Sequence, residues 1–426
     1  MEELMQYVWQ HKLWLPHDMR TVDGRQVQVI DPGIHNHDAG PDFFNAKVKI
    51  GGEMWSGNVE IHVRASDWRR HKHHLDMAYD SVILHVVGVD DLSIKRVNGE
   101  TIPQLHLPCA PDLANRIRAL VDNPHNELAC AREIGSIPTI YLTDWIGSLA
   151  HQRIYSKVER IQELLRRFNN DWEEVCYITM ARALGFGING EPLQRLAMSL
   201  PLRFMRKHSD SLLAMEALLF GQAGFLDNIS TNDPYIGRLA EEYGFLCHKF
   251  SLIQPKSLGW KMARMRPPNF PHRRIALLAS LMEGGFRMMS RITDIRNLEQ
   301  AMALFDLSLT GYWASRYNFG PSTGRALPAL SAASSRILII NVVVPLLYAY
   351  GLQYDNRDMC DRAVNMLHEL PPEHNSVVRL YTQAGIPCRD AFTSQALIEL
   401  RRSYCETRKC LYCRFGHRML AAKVKP

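Results

Sequence analysis

The sequence lacks any apolar run long enough to cross a bilayer. The longest, residues 337–347 (ILIINVVVPLL), is broken by Asn341 and Pro345 and falls short of the roughly 20 residues that a span requires. It reads as a buried helix, and no membrane partner is expected. The opening Met-Glu-Glu-Leu lacks the basic and apolar regions of a secretion signal, so a cytoplasmic location is the expectation. Internal repeats and low-complexity segments are absent too. A large charge excess is also lacking: 50 Lys and Arg against 44 Asp and Glu leave a net charge of +6. That balance suits a polyanionic partner without marking a strongly basic nucleic-acid binder.

What is present describes a folded chain. Hydrophobic residues make up 46% and charged residues 22% of 426 residues, values typical of globular proteins, and the length implies two or three domains. The nine cysteines are odd in number, and Cys405, Cys410 and Cys413 crowd together. A disulfide framework is therefore not the reading; a reduced compartment and a metal site are.

Apolar residues at helical spacing predict an amphipathic helix in the first 14 residues. Short β-branched runs at 27–30, 45–50, 55–63 and 81–87 then predict strands, with Gly51-Gly52-Glu53 as a hairpin connection and a short polar helix over 66–74 capped by Ser66. From about residue 140 the pattern is helical, with helices predicted over 145–168, 172–184, 191–207 and 211–220 and a further one over 392–404. Prolines interrupt this region at 267–271 and 371–372. The fold class is α+β, divided as an α/β domain over 1–135, a helical domain over 136–385 and a cysteine-containing segment over 386–426.

Alternation along a strand places Asn58, Glu60 and His62 on one face. Burying a carboxylate and an imidazole there costs several kcal/mol unless they are paired, hydrogen-bonded or metal-bound. Asp42, after Gly40-Pro41 and just before a strand, is placed to reach the same point. Hard divalent cations prefer oxygen ligands, so Asp42 and Glu60 are candidate ligands for Mg²⁺ or Mn²⁺, with His62 as a further ligand or a water-orienting base. A nitrogen ligand shifts the preference toward Mn²⁺ or Zn²⁺. In the alternative reading Asp42 caps a turn while Glu60 and His62 pair with Arg64, Arg69 or Lys72. His35, His37, His71, His73, His74 and His85 crowd the same region, although no HExxH pattern unites them.

Cys405-x4-Cys410-x2-Cys413, flanked by Lys409 and Arg414, has the spacing of metal-bound thiolates. A closed zinc site or an iron–sulfur cluster needs a fourth ligand, for which Cys388 and His417 are the candidates. Separately, Lys261, Arg264, Arg266, Arg273 and Arg274 surround Phe270 and several prolines, a composition that suits contact with a phosphate backbone of DNA or RNA. The bland reading is a solvated loop.

The pattern Asp42…Glu60-x-His62 resembles that of the PD-(D/E)XK nucleases, with His62 where that superfamily has lysine. The resemblance implies a metal-dependent nuclease in which both carboxylates hold the cation. Cluster-bearing nucleases of the RecB type, which close their domain with cysteines near the C-terminus, are similar in that respect. Over nearly the whole chain, TVDGRQVQVIDPGIHNHDAGPDF, GNVEIHV, SDWRRHKHHLD, RMRPPNFPHRRIA and SQALIELRRSYCETRKCLYC resemble a bacterial family known as domain of unknown function 2851. That likeness implies the full-length architecture but no activity. The expected function is phosphodiester hydrolysis in DNA or RNA; the alternative is a non-catalytic nucleic-acid-binding or scaffold protein, and a hydrolase for another substrate stands third.

Overall fold

The computed structural model describes residues 2–14, 19–36, 38–107, 115, 117, 119–120, 128–227 and 233–421; His37 therefore lies outside the described residues. The chain forms two compact units. The first comprises Met1–Trp145, Leu380–Ile386 and Leu400–Pro426, and the second Ile146–Arg379 with Pro387–Glu399. The C-terminal segment is thus no unit of its own.

In the first unit, helix α1 (Glu2–Gln10) precedes strands β1 (Val27–Asp31), β2 (Ile34–His35), β3 (Phe43–Ile50) and β4 (Glu53–Arg64). Gly51 and Gly52 turn β3 into β4 with φ of +59° and +96°, the doubly positive conformation of a tight hairpin that other residues resist. A short helix α2 (Asp67–Arg70) and two single 3₁₀ turns lead into β5 (Val82–Val89), and β6 (Gln104–His106) completes a sheet ordered β1-β3-β4-β5-β6, with β2 also on β3. Pairing is antiparallel from β1 to β4 and parallel from β4 to β6. A parallel neighbour requires a crossover, which the α2 segment supplies.

Period-two alternation assigns the faces. Phe43, Val48, Ile50, Val59, Ile61, Leu84 and Val86 join Leu4, Met5, Val8 and Trp9 of α1 in one apolar core, each large side chain stabilising by about 1.5–3 kcal/mol. On the other side, Trp68, Tyr79, Val82, Ile94 and Ile102 form a smaller apolar cluster. The predicted polar helix over 66–74 is shorter than its sequence suggests. Ser66 spends its hydroxyl on Asp91 (2.8 Å) rather than capping, and Lys72 adopts a left-handed conformation with φ +64°. That break redirects His71 and His73.

The second unit is helical. The stretch predicted as one helix over 191–207 divides into Gly190–Ser199 and Leu202–Arg206, because Pro201 lacks an N–H and disfavours helix in the residue before it. The apolar run belongs to a longer helix, Ala332–Gln353, which by length and composition could cross a membrane; 67% of its most apolar window is buried within the protein. It contains a π turn, Ile339–Val343, in which Val344 N–H reaches Ile339 O. The next carbonyl in that register, Ile340 O, faces Pro345, which has no N–H to give. The Lys157 ammonium donates to it instead (3.0 Å) and also to Gln395 Oε1 (2.7 Å).

The basic stretch around Pro267 divides in a way the sequence did not suggest. Lys261, Arg264 and Arg266 are exposed, but Arg273 and Arg274 are buried in the helix Pro271–Met282. Arg273 donates to the carbonyls of Trp313, Arg316, Leu327 and Pro328 (2.7–3.2 Å). Arg274 donates to Asn269 Oδ1 and lies 4.2 Å over the Phe186 ring. Arg273 is bonded to carbonyls and Arg274 is buried between Asn269 and the Phe186 ring, so neither is presented to a phosphate backbone at the surface. Arg273→Ala leaves four carbonyls, two of them in fully buried bonds, without this donor and is expected to lower urea stability by about 3 kcal/mol, while Lys261→Ala changes it by less than about 0.5 kcal/mol. Equal effects of the two would contradict the assignment.

Candidate metal centre

Strand β4 carries Glu60 and His62 on the face away from α1, and the parallel register sets Glu60 against His85 of β5. All three side chains are buried: 4% of Glu60, 1% of His62 and none of His85 is exposed. Asp42 joins them from the start of β3 through reciprocal bonds. Its Oδ2 accepts from Ile61 N–H (2.9 Å), while its own N–H donates to Glu60 Oε2 (3.0 Å). Gln6 of α1 donates to the remaining oxygen, Oδ1 (2.8 Å). Both carboxylates are thereby fixed in orientation.

The other Glu60 oxygen, Oε1, faces imidazole nitrogens: His62 Nε2 at 3.5 Å and His73 Nε2 at 3.3 Å. His62 Nε2 is in turn 3.2 Å from His71 Nδ1. Ligand atoms of His62, His71 and His73 all lie within 4.8 Å of one another. Nitrogen and oxygen ligands at 2.0–2.1 Å around a tetrahedral zinc stand about 3.3–3.4 Å apart, so the observed spacing fits a cation of that size. The trio runs from buried His62 through half-buried His73 to exposed His71, which gives the centre a mouth. His85 supports it from below: its Nε2 lies 2.8 Å from His62 Nδ1. Ligation through His62 Nε2 requires the proton on Nδ1, donated to His85, an outer contact of the kind that orients metal-binding imidazoles. His73 is held flat against Tyr79, with ring centroids 3.8 Å apart.

Burial governs the proton affinities. It lowers His62 to about 2, helped by His85, His73 and His71, and lowers His85 to about 3. His73 is lowered as well. Neutral imidazoles with a free lone pair are what a cation needs. Burial raises Asp42 to about 7, with Glu60 as the second cause, and raises Glu60 to about 8, with the Glu2 carboxylate adding to the effect. Two such groups so close do not ionise together without a positive charge.

The structure therefore brings together Asp42, Glu60 and His62 as the sequence pattern suggested, and adds His71, His73 and His85. Of the alternative partners Arg64, Arg69 and Lys72, Arg64 pairs instead with Asp91 (3.5 Å). His71-x-His73 sat in view of Glu60-x-His62 in the sequence. Only the left-handed Lys72 reveals that both imidazoles turn toward the strand.

A family profile described as "Protein of unknown function (DUF2851)" matches residues 2–376. The chain belongs to the DUF2851 family. No curated protein and no solved structure matches it. In this DUF2851 chain the matched residues contain the whole centre and stop short of Cys388 and the cysteines after it.

Stability should report the centre through pH. The carboxylates, with folded proton affinities above the unfolded values of 4.5 and 3.8, contribute stability at low pH that is lost as pH rises toward about 8. The depressed histidines contribute stability above their unfolded 6.5 that is lost as pH falls. Metal-free protein is therefore expected to melt at its highest temperature slightly below neutrality and progressively lower toward pH 9. Glu60→Gln or saturating zinc should flatten the alkaline decline; an unchanged slope would count against this arrangement.

Proposed function

We propose that this DUF2851 protein is a metal-dependent hydrolase of phosphodiesters in DNA or RNA, with the centre built on Glu60 as its active site. The observation that carries the reading is the placing of Glu60 Oε1 at 3.3–3.5 Å from two imidazole nitrogens, in a set that opens to the surface through His71. Three imidazoles and a carboxylate favour zinc or manganese over magnesium, which prefers oxygen ligands. When bound, such a cation acidifies water and neutralises charge developing on a phosphoryl group.

The protein's own residues divide the remaining work. His62, kept neutral by burial, serves as a ligand rather than a base, because a group so reluctant to take a proton cannot hold one at neutral pH. Glu60 is a ligand whose raised proton affinity suits a proton acceptor as well. Asp42 holds Glu60 in place through its N–H and supplies a second negative charge. Exposed Arg69, Arg70 and Lys72 adjoin exposed His71 in the chain, with Arg70 Nη2 3.4 Å from His71 Nε2; cations beside the centre suit a polyanionic backbone. Support also comes from the element order α1-β1-β2-β3-β4-α2-β5, antiparallel strands followed by a helix and a parallel strand. It is compatible with the PD-(D/E)XK resemblance of Asp42, Glu60 and His62.

The test is cleavage of single- and double-stranded DNA and RNA with Mg²⁺, Mn²⁺ or Zn²⁺. Glu60→Ala and His73→Ala are expected to reduce the rate by about 100-fold, with the exposed Glu159→Ala as an unaffected control. A folded, metal-loaded wild type that cleaves none of these substrates would overturn the hydrolase reading and favour a non-catalytic nucleic-acid-binding or scaffold role.

A further inference from the structure

The cysteines gather in a set different from the one their spacing suggests. Cys388 belongs to the second unit, where its thiol lies 3.8 Å from Asp390 O. His417 is engaged by Tyr7, with Nδ1 2.8 Å from the hydroxyl. The thiol that instead couples electrostatically to Cys405, Cys410 and Cys413 is Cys130, at the start of the short helix Ala131–Ile134. The coupling is mutual, for Cys405 also feels Cys410 and Cys413, and Cys410 feels Cys413, so the four thiols share one neighbourhood. All four belong to the first unit.

Burial pushes all four thiols toward the protonated form, and the contacts around Cys413 partly offset it. Cys413 precedes the helix Arg414–Ala421, and the N–H groups of Phe415 and Gly416 point at its sulfur, an arrangement that favours negative charge. Gly416 packs so tightly that a Cβ there would stand 2.1 Å from Cys410 O. The Tyr381 hydroxyl lies 3.1 Å from Cys405 Sγ, and Cys413 is buried while the other three are half-buried.

We propose that Cys130, Cys405, Cys410 and Cys413 bind an iron–sulfur cluster, each thiolate holding one iron of a four-iron cube. The spacing distinguishes this from zinc. Four sulfurs on a single zinc at 2.3 Å would stand about 3.8 Å apart. Among the described residues, the set whose ligand atoms close to within 4.8 Å is His62, His71 and His73, and no three of these cysteines form one. Sulfurs attached to different irons of a cube stand farther apart than sulfurs on one ion, while still surrounding a common centre. The assignment is independent of the hydrolase reading.

Anaerobically purified full-length protein is expected to be brown and to contain about four irons and four acid-labile sulfides per chain, either as isolated or after reconstitution with ferrous iron and sulfide. Cys130→Ser should lose the colour and most of the sulfide, whereas Cys388→Ser should match the wild type. Wild-type protein without sulfide after reconstitution overturns the proposal, as does zinc-edge X-ray absorption showing four sulfur ligands. Full loading of Cys130→Ser with loss in Cys388→Ser also overturns it. Wild-type sulfide content decides the matter even if Cys130→Ser fails to fold, and it separates this site from metal held by the histidines.

Discussion

Glu60, His62 and His85 stand on an interior face of the sheet where apolar residues would pack without penalty. Leaving each of them unpaired there would cost several kcal/mol, so the surrounding structure is organised around compensating them. Asp42 donates its N–H to Glu60 and accepts from Ile61 N–H, Gln6 ties the first helix to Asp42, and His85 supports His62. What these contacts leave over is one carboxylate oxygen and three imidazole nitrogens converging near the surface. A sheet face used for packing alone would have no reason to hold them.

Much of this was legible in the sequence. Strand alternation put Glu60 and His62 on one face, the hairpin glycines located the β3–β4 turn, and the change from period two to helical spacing separated sheet from helices. Three things were not legible. The parallel pairing of β5, which brings His85 beneath His62, depends on a crossover rather than on local pattern. The turn that aims His71 and His73 depends on a left-handed lysine, which no propensity favours. Cys130 lies far along the chain from Cys405, Cys410 and Cys413, and spacing arguments search only nearby residues, so Cys388 and His417 were the candidates that the sequence offered.

The second unit follows a related rule with cations in place of anions. Arg273 gathers four carbonyls from a loop region that has no regular ladder to satisfy them, and Lys157 donates to the carbonyl that Pro345 cannot serve. Residues that look in sequence like a surface for polyanions can thus be internal fasteners. Charge read without burial misassigned Arg273 and Arg274, whereas exposed Lys261, Arg264 and Arg266 keep the character their composition suggested.

The first unit is assembled from separated pieces of chain, with Leu400–Pro426 returning to it after the second unit has been traversed. During synthesis the sheet and α1 emerge before the helical unit, but the segment bearing Cys405, Cys410 and Cys413 reaches the ribosome exit after it. The intervening helical unit can collapse on its own while the first still waits for its closing piece, reversing the usual order in which N-terminal domains finish first. Maturation of the amino-terminal half is thereby timed by the carboxyl-terminal one, and a chain truncated after the helical unit would carry every residue of the histidine centre on a body missing its last layer.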